Sequence, residues 1–306
     1  MSGLPRVVVL MATFNGAAHV EDQVRTILDQ RDVNVQIVIR DDGSTDATVA
    51  LVEQLAACNP DRITLMSDGR GPCGSAAANF FALLSSCAVS PGEWIALADQ
   101  DDIWFPDKLA CAIARMRTEQ TDAYSSNLIA FSDTTNNAWQ VRKDAAQQPM
   151  DYLFQGASAG CTYVLSARAL DVVRAAVRGL DGKVPTHASH DWLIYALCRS
   201  AGLRWSMDER ARIAYRQHPA NVYGTHHGLS KMLERMRMLR SSWYRNAILW
   251  VRTMLDCSPE EDQILTRVER LTWQDRLWLA RRAGALRRDP RDARQLRLAL
   301  LTGLFR

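Results

Sequence analysis

The sequence predicts an α/β protein: a mostly parallel sheet with helices on both faces, followed by a helical C-terminal region. Three observations predict it. Continuous apolar, β-branched runs alternate with helix-period segments as far as Arg117, polar clusters follow the strand-like runs, and the pattern beyond Gly228 is almost wholly helical and basic.

The elements follow in order. Arg6 to Ala12 (RVVVLMA) reads as a strand buried on both faces, and Ala17 to Asp29 places Val20, Val24, Ile27 and Leu28 on one helical face. Val35 to Arg40 is the second strand, and Ser44 or Thr45 is the expected cap of a helix carrying Val49, Val52 and Leu55. Ile63 to Met66, a helix over Ala76 to Cys87, and the strand Trp94 to Ala98 come next. Pro106 takes the first-turn position of a helix over Asp107 to Arg117. Strands and polar loops mix from Asp122 to Tyr163, and Ser189-His190-Asp191-Trp192 opens a helix reaching about Ala201.

Open α/β sheets bind ligands beyond the carboxyl ends of their strands. Three polar clusters fall there: Thr13-Phe14-Asn15-Gly16, Asp41-Asp42-Gly43-Ser44 and Asp99-Gln100-Asp101-Asp102. Carboxylates gathered at one strand end repel each other unless a cation or ligand hydroxyls take up the charge. The D-x-D spacing puts Asp99 and Asp101 on one side of an extended chain, one for a sugar hydroxyl and the other for Mg2+ or Mn2+. The third carboxylate, Asp102, reads equally well as a turn cap. No glycine fingerprint of a dinucleotide fold and no phosphate-cradling G-x-x-x-x-G-K-[ST] loop occurs. A bound diphosphate must therefore be neutralised by metal and side chains.

Composition sets outer bounds. The 306 residues are 47% hydrophobic, with no run of about 18 uncharged apolar residues. The N-terminus enters a strand pattern too early for a signal peptide, so a cytoplasmic protein is expected. Seven scattered cysteines without a C-x-x-C pair argue against a disulfide framework or a zinc site. Residues 1–228 hold 20 basic and 25 acidic side chains, net −5, whereas residues 229–306 hold 17 and 9, net +8. Two regions are thus expected: a catalytic domain over 1–228 and a basic amphipathic helical region over 229–306.

The ordered set A-T-F-N-G, D-D-G-S-T-D, A-D-Q-D-D-I-W-x-x-D-K-L, G-C-T, H-D-W and Y-R-Q-H-x-x-N resembles the family 2 glycosyltransferases of GT-A fold, in particular their bacterial rhamnosyltransferase-like branch. The resemblance spans about residues 6 to 224 and implies a Rossmann-like catalytic domain. It implies an inverting, metal-dependent transfer of a hexose or deoxyhexose from a nucleotide-diphosphate sugar to a glycan or lipid-linked acceptor in surface polysaccharide synthesis. Thr13, Phe14 and Asn15 would cradle the nucleotide, and Asp41 or Asp42 would bond base or ribose. Asp99 would touch ribose or metal, Asp101 would hold the metal, and His218 would add a ligand. Asn79 and Gly160-Cys161-Thr162 would line the donor and acceptor cleft, and Asp191 would be the catalytic base. The chain departs from the family pattern at Ser126-Asn127, where relatives carry serine-aspartate, and in the small, glycine-rich Gly69 to Ala78.

In the C-terminal region, Met232, Leu233, Met236, Leu239, Trp243, Ile248 and Trp250 recur among Lys231, Arg235, Arg237, Arg240 and Arg245, and Trp278 accompanies Arg281-Arg282. Such helices suit either the inner membrane surface, as a peripheral protein, or packing on the catalytic domain or another subunit. A nucleic-acid partner is disfavoured because no reader motif is present. Two rivals to the transferase reading are a nucleotidyltransferase, which should carry a glycine-rich activating loop that is missing, and a silent glycan- or membrane-binding module, which should have lost carboxylates.

Overall fold

In the computed structural model, residues 3–69, 71–132, 137–180, 184–217 and 242–306 are described. The chain divides into two compact units. The first comprises Met1–Asp144, Ser158–Val184 and Leu203–Gly224, and the second Ala145–Ala157, Pro185–Gly202 and Thr225–Arg306. The boundary expected at residue 228 lies outside the described residues. The units are not consecutive in sequence, since two mid-chain segments group with the C-terminal helices.

The first unit is built on a seven-stranded sheet. Strands β1 (Arg6–Thr13), β2 (Asn34–Asp41), β3 (Ile63–Leu65), β4 (Trp94–Ala98), β6 (Ala123–Ser126), β9 (Val164–Ser166) and β10 (Trp205–Asp208) lie in the order β10-β6-β9-β4-β1-β2-β3. All neighbours are parallel except β9, which runs antiparallel to β4 and β6. Alternation divides β1 between two layers. Val7, Val9 and Met11 join one core with residues of α1 (Val20–Leu28), α2 (Thr48–Cys58) and α4 (Lys108–Glu119). Val8 and Leu10 are buried on the opposite face, where α3 (Ala76–Ser86) and α5 (Ala167–Val177) pack. Helices cover both faces, as the strand pattern predicted.

A second sheet in this unit, ordered β5-β11-β7-β8, contains β5 (Ile103–Trp104), β7 (Leu128–Ser132), β8 (Asn137–Val141) and β11 (Ile213–Arg216). The chain passes from one sheet to the other at Asn127. Its buried amide donates to the Glu209 carbonyl at 2.8 Å and accepts from the Lys143 N–H. A carboxylate cannot donate that first bond, so asparagine here serves the sheet junction.

Two helix starts differ from expectation. Neither Ser44 nor Thr45 caps α2, because Ser44 Oγ donates to Asp41 and the Asp46 carboxylate takes the Thr48 N–H at 2.9 Å instead. Pro106 precedes α4 by two residues, outside its first turn: Asp107 is the N-cap, and Lys108 N–H bonds back to Phe105 O. The seven cysteines are free thiols.

The second unit contains α6 (His190–Ser200), capped by Ser189, and the helices α7 (Trp243–Thr253), α8 (Pro259–Arg270), α9 (Trp273–Arg281), α10 (Ala283–Leu286) and α11 (Pro290–Leu301). Capping boxes start α8 at Ser258 and α9 at Thr272. At its centre the fully buried Asp151 accepts from Arg288 Nη1 at 3.0 Å, Arg199 Nη1 at 3.3 Å and Tyr195 OH at 3.1 Å. Arg288 Nη2 also holds the Gly156 and Ala157 carbonyls, both at 2.8 Å. Gly156 lies against the first turn of α6: a Cβ there would meet Trp192 Cα at 3.3 Å. The apolar faces of the C-terminal helices therefore pack, at least in part, on the segments that carry α6. Asp151→Ala leaves Arg199 and Arg288 without their shared anion, and it should cost about 3–5 kcal/mol of stability by denaturant unfolding of the full chain. A loss within experimental error would remove this network from the account.

Candidate active site

The site in the first unit is set by register. Thr13 pairs with Asp41 across β1 and β2, and Met11 with Ala98 across β1 and β4. The chain ends of β1 and β4 thus leave the sheet side by side, at the point where connections run to opposite sides of β1. Gln100 fastens them, accepting from Phe14 N–H at 2.8 Å and donating to Phe14 O at 2.9 Å. Gly16 makes room for it, since a Cβ there would collide with the Gln100 amide. Phe14 is left 53% exposed at the rim, an aromatic face available for stacking.

The two carboxylates after β2 do different work. Asp41 takes Thr13 Oγ1 at 2.8 Å, Ser44 Oγ at 2.6 Å, Ser44 N–H at 2.7 Å and Gly43 N–H at 3.0 Å. Ser44 Oγ accepts from Asn15 N–H at 2.8 Å, and the Asn15 side chain accepts from Thr45 N–H at 2.8 Å, so the loops after β1 and β2 are tied together. Asp42 is buried and turned toward the glycine-rich loop, accepting from the Cys73 N–H and, at 2.9 Å, from Gly74 N–H. Buried Arg40 completes that arrangement by bonding Asp68 at 3.2 Å, Gly71 O at 3.2 Å and Asn79 Oδ1 at 3.0 Å, with Asp42 at 3.4 Å. Asn79 Nδ2 returns to Arg40 O at 3.0 Å. Asp42 and Asn79 therefore shape the wall of the crevice through Arg40. The wall is close-packed, for a Cβ on Gly43, whose φ is +84°, would meet Pro72 Cγ at 2.6 Å.

Beyond β4 the three carboxylates separate. Asp99 and Asp101 are half-buried, whereas Asp102 is fully buried. The antiparallel pairing of β5 with β11 brings Arg216 back to this turn, where its N–H reaches Asp102 Oδ1 at 3.3 Å and its Nε reaches Asp101 O at 3.0 Å. Asp102 is thus no cap of the following turn. Its neighbours are Cys161, in the short 3₁₀ turn Gly160–Thr162, and Lys108, in the first turn of α4. Thr162 Oγ1 is committed to Ala159 O at 2.8 Å, and all three residues of this turn are buried.

The electrostatics follow from burial. Burial first, then the charges of Asp99 and Asp101, holds the Asp102 carboxyl well above the usual carboxylate range. Burial and then Asp102 push the Cys161 thiol up, so it stays protonated. Lys108 is lowered to about 7 by burial, with Cys161 and Asp102 opposing the shift. Its ammonium lies 3.5 Å over the Trp104 ring and has no hydrogen-bond acceptor among the described residues. Lys108 was given no role from sequence, and Asp102 was placed in the strand-end cluster with a turn cap as its alternative.

Ligand atoms of Asp99, Asp102 and Cys161 lie within 4.8 Å of one another. Hard divalent cations prefer oxygen, which the two carboxylates offer and a protonated thiol does not improve on. The carboxylates fit such an ion, because the repulsion from Asp99 and Asp101 that adds to burial in raising Asp102 is what a cation relieves. Asp101 stands outside this group, and His218 lies outside the described residues.

In the second unit Asp191 occupies the first turn of α6. Its Oδ1 accepts from Trp192 N–H at 2.7 Å and from Ser189 Oγ, and the helix's positive end favours a negative group there. Trp192 is anchored by Nε1 to Tyr152 O at 2.8 Å and stacks on Tyr244 at 5.6 Å. Arg287, from the C-terminal region, holds Tyr244 OH at 2.9 Å and Phe154 O at 2.8 Å.

A nucleotide-sugar transferase fold, with carboxylates at its switch point, is the class these features define. The family model described as glycosyl transferase family 2 matches residues 8–166, over half of the chain. The chain belongs to this family and is a glycosyltransferase of GT-A fold. It is 30% identical to the dTDP-rhamnosyl transferase RfbG of Shigella flexneri over 96% of this chain and 100% of that protein. Over 37% of this chain and 30% of the relative it is 36% identical to the succinoglycan biosynthesis protein ExoO of Rhizobium meliloti. S. aureus TarS 1–349, solved in complex with UDP-GlcNAc, superposes with a TM-score of 0.58 at 14% identity, covering 98% of this chain and 90% of that one. The mannosyltransferase PcManGT from Pyrobaculum calidifontis, solved with GDP-Man and Mn2+, gives 0.53 at 18% identity, over 98% and 74%. At those identities the structural likeness is one of fold. No helix among the described residues is long and apolar enough to cross a membrane.

The sign of the Asp102 shift gives a test. A carboxyl raised in the folded state binds a proton that the unfolded chain has released, so without divalent cation stability should fall as pH rises above about 3.8. Lys108 acts in a higher window, between about 7 and 10.5, where its lowered value makes stability rise with pH. Thermal melts in EDTA should show the falling limb in the wild type and a flattened one in Asp102→Asn. Parallel pH profiles for the two proteins would refute the assignment.

Proposed function

We propose that the protein is an inverting, divalent-metal-dependent transferase that moves a deoxyhexose, rhamnose, from dTDP-rhamnose to a hydroxyl of a glycan or lipid-linked acceptor during bacterial surface polysaccharide synthesis. The near-full-length likeness to a dTDP-rhamnosyl transferase supports the donor. The single structural observation that carries the chemistry is the crevice where Gln100 clasps the ends of β1 and β4 beside Asp99, Asp101 and Asp102.

In this reading Phe14 stacks on the base, and the tied Thr13–Asp41 and Asn15–Ser44 loops meet base and ribose. Asp42 and Asn79 act through Arg40 by fixing the crevice wall. Gly160, Cys161 and Thr162 shape the end that receives the donor sugar. Asp99 and Asp102 would hold the divalent cation, Mg2+ or Mn2+, with Asp101 and His218 as the further ligands that the family resemblance implies. When bound, that cation offsets the negative charge that develops on the leaving diphosphate. Asp191 takes the proton of the acceptor hydroxyl as its oxygen attacks the anomeric carbon, and the bond from that carbon to the diphosphate oxygen breaks. Attack opposite the leaving group inverts the configuration.

The reading also places the enzyme at the cytoplasmic face of the membrane. Its support lies in the second unit, where Trp273, Leu298 and Leu301 are 72%, 61% and 56% exposed beside exposed Arg281, Arg282, Arg291 and Arg294. Tryptophan and leucine among arginines suit an anionic lipid surface.

Asp191→Asn should lower kcat by about 10²–10⁴-fold with a small change in donor KM, as loss of a general base does. Asp101→Asn should weaken both metal and donor binding. EDTA should stop transfer, with Mn2+ or Mg2+ restoring it, and NMR of the product should show the inverted anomer. Wild-type turnover in both variants across a panel of nucleotide sugars would sink the assignment.

A further inference from the structure

The second unit carries an open surface hollow of about 300 Å³ lined by Gln148, Gly284, Pro290, Ala293 and four arginines, Arg287, Arg288, Arg294 and Arg297. Among the described residues no carboxylate lines it. The four guanidinium groups differ in how their charge is met. Arg288 is neutralised by Asp151, and Arg287 has Asp292 at 3.8 Å. Arg294 and Arg297 spend only Nε on the protein, on the carbonyls of Pro290 at 3.3 Å and Ala280 at 3.1 Å. Two exposed forked cations therefore line the hollow with their terminal nitrogens uncommitted among the described residues.

Like charges gathered around a small cavity repel, and an anion with several oxygens is what such a lining stabilises. The volume is about ten times the ~30 Å³ of a water molecule and lies at the lower bound of small-ligand pockets. It suits a phosphate or diphosphate group and is small for a nucleotide sugar. Leu298 and Leu301, exposed on the same helix as Arg294 and Arg297, offer an apolar track beside the charges.

We propose that this arginine-lined cavity is a second anion site, separate from the donor crevice, that binds the phosphate or diphosphate head of a lipid. The inference concerns the second unit's own residues and does not depend on the donor or on Asp191. It is read by binding alone.

Gly284 supplies the cleanest test. A Cβ there meets nothing within 4 Å, so a side chain is accommodated, and a helical glycine is replaced without loss of propensity. Gly284→Glu should place a carboxylate among the arginines, Gly284→Ala should be silent, and the pair Arg294→Gln/Arg297→Gln should remove the uncommitted cations. Calorimetric titration with inorganic pyrophosphate in EDTA should give binding that weakens roughly tenfold or more in Gly284→Glu and in the double variant. Binding should persist in Gly284→Ala and in Asp101→Asn. Melting temperatures of the variants close to wild type establish that folding is intact. Flotation with phosphatidylglycerol-containing vesicles, against phosphatidylcholine alone, distinguishes the source: loss of flotation in Gly284→Glu identifies a lipid head group, whereas pyrophosphate binding without any vesicle effect identifies a soluble phosphate. Pyrophosphate affinity unchanged in Gly284→Glu, or binding abolished by Asp101→Asn and untouched by the arginine pair, would overturn the proposal.

Discussion

A carboxylate taken out of water has to be met by something, and this constraint organises both units of the protein. Four acidic side chains meet it in four ways. Asp41 is surrounded by hydroxyls and backbone N–H groups of its own turn, and Asp42 by two loop N–H groups and Arg40. Asp151 is clasped by two guanidinium groups and a tyrosine. Asp102 lies beside further carboxylates, a thiol and a lysine, accepts from Arg216 N–H, and is held well above the usual carboxylate range by burial first and then by Asp99 and Asp101. The first three solutions make rigid walls. The fourth gathers carboxylates with a neutral thiol and a lysine, and it is found at the point where the sheet's connections diverge.

The same reasoning separates residues that touch a ligand in the proposed mechanism from those that hold them in place. Asn79, part of a motif shared with the family, has both ends of its amide on Arg40. Its contribution to a donor site therefore passes through the position of the glycine-rich loop. Gln100 belongs to the same class, for it clamps the backbone of Phe14 and so fixes where that exposed ring stands.

Much of the first unit was legible in the sequence because central parallel strands appear as unbroken apolar runs, and β4 lies where Trp94 to Ala98 predicted. The clusters at the strand ends were legible for the same reason: the sheet dictates where they go. Helix starts were less so, since only the folded turn sends Ser44 Oγ to Asp41 and the Thr48 N–H to Asp46, and the Asp107 side chain caps nothing and pairs with Arg212 instead. The buried state of Asp102 was hidden because it comes with a strand, β11, more than a hundred residues away. The partition of the chain was hidden too. Nothing local in residues 145–157 announces that Asp151 belongs with Arg288, and the balance between a packed and an exposed face of the C-terminal helices depends on that partnership.

The interleaved second unit has a consequence for biosynthesis. A ribosome delivers chain in order, yet the turn that carries Asp191 rests on a glycine held through Arg288, almost a hundred residues later. The first unit has its central strands early and can begin to assemble during translation, whereas α6 must wait, its apolar face exposed, until the last helices emerge. A nascent or prematurely terminated chain would thus carry a nearly complete strand-end crevice and an unsupported first turn of α6. The arrangement delays completion of the second unit until synthesis is essentially finished.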